Sequence, residues 1–130
     1  MEHTTLIDHV SLGSHRYANA VAFYQRVLAA LGLQLLRDTG AEAAFGRPEH
    51  WGFFVYPAQG GEGVRGAGMH LALAAPSRDA VRATHEQALA AGAEDIFTPR
   101  LRPDIDERYF GAMFRDLDGH RIEVLTRAGS

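Results

Sequence analysis

The chain has 130 residues, 46% hydrophobic and 22% charged, with 13 Lys+Arg against 16 Asp+Glu. That is the size and balance of one globular domain, and its mild acidity offers nucleic acid no electrostatic footing. There is no cysteine, which excludes disulfides, thiolate nucleophiles and thiolate metal sites, so any metal must be held by carboxylates or by some of the seven histidines.

No apolar run approaches the roughly 20 residues that cross a bilayer. The start, Met1-Glu2-His3-Thr4-Thr5, lacks the basic and apolar regions of a signal peptide. We therefore expect a cytoplasmic protein with neither membrane nor nucleic acid as partner.

The first predicted strand runs from Leu6 to Leu12. Leu6, Val10 and Leu12 share one face; Ile7, His9 and Ser11 share the other. Ala20, Tyr24, Val27, Leu28 and Leu31 recur at helical spacing and predict a helix over 19–31, stopped by Gly32. Strands follow at 33–37, 43–46 and 52–56. The segment from Gln59 to Gly68 holds five glycines in ten residues and reads as a mobile linker. It is not a phosphate loop, because no strand-to-helix turn with a Lys-Ser/Thr pair follows it.

The order then repeats. A strand is expected at 69–74 and a helix from Ser77, a plausible N-cap, to about Ala91, stopped by Gly92. A short strand at 94–97, a loop at 98–107 and a strand at 109–115 follow. Asp118-Gly119 makes a hairpin turn into the last strand, 121–126.

The halves match in detail: Asp8-His9-Val10-Ser11-Leu12 with Met69-His70-Leu71-Ala72-Leu73, and Val27-Leu28-Ala29-Ala30-Leu31-Gly32 with Ala88-Leu89-Ala90-Ala91-Gly92. A half alone cannot bury its sheet, so the duplication organises the whole domain. The expected fold is α+β: two tandem βαβββ modules, at about 5–58 and 68–127, in a single domain over 1–130.

These features resemble the vicinal-oxygen-chelate superfamily of glyoxalase I, extradiol dioxygenases, and bleomycin- and fosfomycin-resistance proteins. The resemblance rests on Ile7-Asp8-His9-Val10, Phe23-Tyr24, Gly68-Met69-His70-Leu71-Ala72 and the run from Tyr109 to Glu123. It implies a curved sheet with helices on the convex side and a metal in the concave cup. The matching ligand positions are His9, His70 and Glu123, with Glu123 also the candidate catalytic group.

Strand alternation agrees. Val10 and Leu12, Leu71 and Leu73, and Ile122 and Val124 all point away from the neighbouring candidate ligand. Two imidazoles and a carboxylate suit Fe, Mn, Ni, Co or Zn. The fourth family position falls in Phe53-Phe54-Val55, where no residue can bind metal, and His50 is the nearest donor.

Trp51, Phe53, Tyr109 and Met113 are expected to line the cup as an apolar wall, with Arg115 meeting an anionic substrate. Arg100 and Arg102 read as loop or surface charge. His85 reads as a helix–sheet packing residue, His120 as structural, and His3 and His15 as exposed.

Two functions follow. One is a small-molecule metalloenzyme of lyase, isomerase or dioxygenase type, with an oxygen-bearing substrate chelated to the metal. The alternative is a metal-free binding module of antibiotic-resistance type. A homodimer is expected, because a curved sheet of this size leaves edges to cover.

Overall fold

The computed structural model describes residues 6–61, 63 and 68–129. The first module runs β1 (Val10–Ser14), α1 (Tyr17–Ala29), β2 (Gln34–Asp38), β3 (Ala43–Arg47) and β4 (His50–Pro57). The second repeats it as β5 (Leu71–Ala74), α2 (Arg78–Ala90), β6 (Glu94–Leu101), β7 (Phe110–Arg115) and β8 (Arg121–Thr126). Each module folds into its own four-stranded mixed sheet, ordered β1-β4-β3-β2 and β5-β8-β7-β6. The predicted α+β arrangement of two βαβββ modules is the observed one. His3 and part of the 59–68 linker lie outside the described residues.

Local chemistry explains the helix ends. Ser77 caps α2 by accepting the Ala80 N–H at 3.1 Å. Gly32 and Gly92 take positive φ just past the two helices, and the N–H of each following residue returns to a helix carbonyl.

Two strands differ from expectation. β1 begins at Val10, where pairing with Phe53 of β4 starts, and not at Leu6. β6 continues through Thr98-Pro99-Arg100 to Leu101, where a loop was expected. It is an edge strand with two register irregularities against β7, and an edge tolerates a proline that cannot donate to the ladder.

One apolar core serves both modules. It joins Val27 and Leu28 of α1, Val81 and Ala88 of α2, Phe45, Phe53 and Val55 of the first sheet, and Phe114, Ile122 and Val124 of the second. Phe23 of α1 reaches Phe114 on β7, with ring centroids 6.2 Å apart. The helix-facing sides of both sheets thus share one interior.

A polar staple reinforces the contact between modules. The Tyr24 hydroxyl donates at 2.5 Å to buried Asp116, whose other oxygen caps the β7–β8 turn through the N–H groups of Asp118 and His120. The His120 ring meets the Gly13 carbonyl at 2.9 Å, the structural role expected for it. His85 is buried against Phe114 and pairs with Asp95, also as expected. Among the described residues no helix is long and apolar enough to cross a membrane.

Candidate functional site

Because the helix-facing sides are consumed by the core, each sheet keeps one outward face. Alternation assigns His9, Ser11, Phe54 and Tyr56 to the outward face of the first sheet. It assigns Ala72, Glu123, Met113 and Phe97 to one row across the second, in register over four strands. His70 immediately precedes β5 on that face.

The second face carries the chemistry. Glu123 is 4% exposed and so needs partners for its charge. Oε2 accepts the Tyr109 hydroxyl at 2.5 Å, and Oε1 stands 3.3 Å from His70 Nε2. Tyr109 reaches Glu123 across the position of Gly111, where a Cβ would lie 3.4 Å from Oε2. The missing side chain opens the path between phenol and carboxylate. Burial first, and then the bond to Glu123, push the Tyr109 phenol up to about 12. Tyr109 therefore stays a neutral donor, fixing one carboxylate oxygen and leaving the other toward His70.

Met113 of β7 sits directly opposite Glu123 of β8. Arg115 pairs with Glu94 at 3.1 Å, so its charge is already met on the surface.

The first face is different in kind. His9 Nδ1 lies 2.8 Å from Asp8 Oδ2, and that bond holds the Asp8 carboxyl below its ordinary value. His50 Nε2 contacts the Asp8 carbonyl at 2.7 Å. The His9 ring meets Phe54 edge-on at 5.2 Å, and Phe54 stacks with Tyr56. Tyr56 donates to Glu42, Glu42 pairs with Arg37, and Arg37 lies 4.7 Å over the Trp51 ring.

Phe54 is thus the outward residue of the 53–55 stretch, where the sequence resemblance implies a fourth ligand. Phe53 points to α1 and packs on Tyr24 and Phe45, because it falls on the helix-facing alternation of β4, and it also lines a pocket with Val10, Leu33, His50 and Leu73.

The convergence of His9, His70 and Glu123 does not occur within one chain. Among the described residues no three His, Asp or Glu side chains gather in a geometry that holds a metal. The shared core turns the two outward faces away from each other. What sequence reasoning missed is the Tyr109–Glu123 bond. Its trace in sequence is Gly111, two residues from bulky Tyr109 just before β7 and from Met113 within it.

The family model of the Glyoxalase/Bleomycin resistance protein/Dioxygenase superfamily matches residues 6–124. The chain belongs to that superfamily. Its fold is similar to a glyoxalase/bleomycin resistance protein from Albidiferax ferrireducens T118, at 25% identity and TM-score 0.82, covering 95% of this chain and 100% of that one. A glyoxylase/bleomycin resistance protein/dioxygenase domain from Frankia sp. EAN1pec is similar at 19% identity and TM-score 0.71, covering 95% and 98%. A genomically encoded fosfomycin resistance protein from Listeria monocytogenes is similar at 19% identity and TM-score 0.68, covering 95% and 94%. A search of curated proteins finds no significant match.

The superfamily implies a divalent metal, and the donor set tests it. One chain brings together one imidazole and one carboxylate oxygen, His70 Nε2 and Glu123 Oε1. Metal sites of this donor chemistry take at least three protein ligands. The donors fit a divalent ion once an imidazole from the other outward face, His9, joins them.

Proposed function

We propose that this protein is a cytoplasmic small-molecule metalloenzyme of the glyoxalase type, working as a homodimer. His9 of one copy would complete the His70–Glu123 pair of the other. The observation that carries this is the buried Glu123 carboxylate, held by Tyr109 on one oxygen and open toward His70 on the other. A buried carboxylate in such a setting needs a cation or a proton. The homodimer is supported by open edges: β1 and β5 each pair on one side only, and apolar Leu6, Ile7 and Met69 stand exposed just before them.

His9, His70 and Glu123 would hold the ion, of Fe, Mn, Ni, Co or Zn type. When bound, it polarises neighbouring substrate oxygens in lyase, isomerase or dioxygenase chemistry. The chain's own groups do the positioning. Tyr109 keeps Glu123 in one orientation. Asp8, bonded to His9 Nδ1, leaves Nε2 as the available nitrogen. Met113 and Phe97 wall one side against water, and Trp51 and Phe54 supply an apolar surface on the other copy.

The test is subunit mixing. His9→Ala and Glu123→Ala proteins are each expected to bind no stoichiometric metal. Unfolded and refolded together one to one, they should recover about a quarter of the wild-type sites, since half the dimers are mixed and each mixed dimer keeps one intact site. Zero recovery with full wild-type stoichiometry would place the site within one chain.

The metal-free binding reading is favoured by one observation, that Phe54 occupies the fourth ligand position as a ring. Chelator-treated protein that takes up none of the five metals tighter than about 100 μM would establish it.

A further inference from the structure

Three arginines stand beside the Tyr109–Glu123 pair. Arg100 faces Gly111 across the β6–β7 ladder, its guanidinium 4.6 Å from the Phe97 ring centroid. Arg102 stacks on the same ring at 5.1 Å, and its backbone N–H donates to the Tyr109 carbonyl at 2.7 Å. Arg127, just past β8, lies 5.0 Å over the Tyr109 ring itself.

Their partners separate them. Arg102 is bound at 3.0 and 2.8 Å by the two Asp104 oxygens, which fixes it as a scaffold. Arg127 meets Asp106 only at 3.8 Å. The Arg100 side chain makes no hydrogen bond or ion pair among the described residues and feels Asp104 only through space. Ring stacking orients a guanidinium without consuming its N–H donors. Arg100 and Arg127 are thus exposed, pre-oriented forks on either side of a neutralised third.

We propose that Arg100 and Arg127 form a subsite for an oxyanion, a carboxylate or a phosphoryl group, on a small substrate whose other oxygens lie at His70 and Glu123. The second half of that statement rests on the metalloenzyme reading above. Arg100 stands one row and two strands from Glu123, a backbone separation of about 12 Å with rows about 7 Å and strands about 4.8 Å apart. An arginine side chain reaching back over that distance leaves room for a small acid. The charge complements a substrate anion as a bidentate fork does.

The experiment titrates the chelator-treated full chain with acetate, methylphosphonate and the neutral N-methylacetamide, following arginine Nε–H and tyrosine ring signals by NMR. The two anions should shift the Arg100, Arg127 and Tyr109 signals saturably, with dissociation constants of about 1–10 mM. The tighter of the two names the substrate's group. The neutral probe should give no saturable shift.

Arg100→Gln and Arg127→Gln should each weaken anion binding about fivefold or more. Arg26→Gln, on the helix layer, should not. Core amide signals report that each variant is folded. Non-saturating shifts, or undiminished binding in the double variant, would overturn the subsite. Metal titration of the wild-type chain keeps the two readings apart. Anion binding in a protein that takes up no metal sustains the subsite and removes the enzyme reading. Metal uptake without anion binding removes the subsite alone.

Discussion

The two modules share an element order yet present opposite chemistry outward. The second sheet buries a carboxylate at its centre and rings it with a phenol, an imidazole and arginines. The first sheet presents His9, Phe54, Tyr56 and Trp51, with its acids at the margins. Duplication conserved the side that meets the helices, where Phe53, Val55, Ile122 and Val124 all pack. It left the other side to diverge. The fold therefore needs both modules alike, while a site needs them unlike.

The sharpest way to break this comparison is to remove the central carboxylate. Glu123→Ala should lower divalent-metal affinity by about 100-fold or more, whereas Phe54→Ala on the aromatic wall should change it less than about threefold, as read by competition with a chelator. Equal effects would mean the walls are not specialised.

Next in size is the staple between modules. Asp116→Ala leaves the buried Tyr24 hydroxyl and two turn N–H groups without their acceptor, and should cost about 3 kcal/mol in urea unfolding. Tyr24→Phe should cost about 1–2 kcal/mol, since Asp116 keeps its backbone donors.

The same pair sets an alkaline limit. Burial, then Asp116, hold the Tyr24 phenol well above its ordinary value. A raised folded value means stability that is complete below the unfolded value of 10.0 and is lost as pH rises beyond it. Wild-type urea midpoints should fall above about pH 10, and the fall should be shallower in Tyr24→Phe. Tyr109 and Tyr17, both raised to about 12, leave the remainder.

A finer probe is Gly111→Ala. Its Cβ would stand 3.2 Å from the Val124 carbonyl and 3.4 Å from Glu123 Oε2, crowding the path of the Tyr109 hydroxyl. Stability should drop by about 1 kcal/mol and metal affinity about tenfold, with Tyr109→Phe matching the affinity loss alone. The smallest effect is on the aromatic wall: Trp51→Ala should cost about 0.5–1 kcal/mol through its exposed contact with Arg37.

Much of this was legible in the chain itself. The His9, His70 and Glu123 strands each alternate an aliphatic neighbour against the candidate ligand, so their outward direction followed from the pleat. Gly32 and Gly92 marked the helix ends. Phe53 misled because aromatic residues at 53 and 54 look alike in sequence, and only the register of β1 on β4 decides which faces the core. Tyr109 was expected only as part of an apolar wall, and its donor role stayed hidden because the bond to Glu123 spans 14 positions and depends on a side chain that is absent. The separation of His9 from His70 was hidden for a larger reason. Whether two sheets enclose a cup or flank shared helices depends on how modules pack, and both packings satisfy the same alternation.

The shared helical layer has an evolutionary consequence. Substitutions far apart and without common partners add their energies independently. Among the described residues no hydrogen bond, ion pair or ring contact directly joins the aromatic wall to the cationic wall, so each can drift without unsettling the other. A lineage could thus alter the residues around Trp51 and Phe54, and those around Glu123, in separate steps. In the proposed homodimer, epistasis between the walls would arise only where two copies meet, and the assembled pair would be the unit on which selection for a new ligand acts.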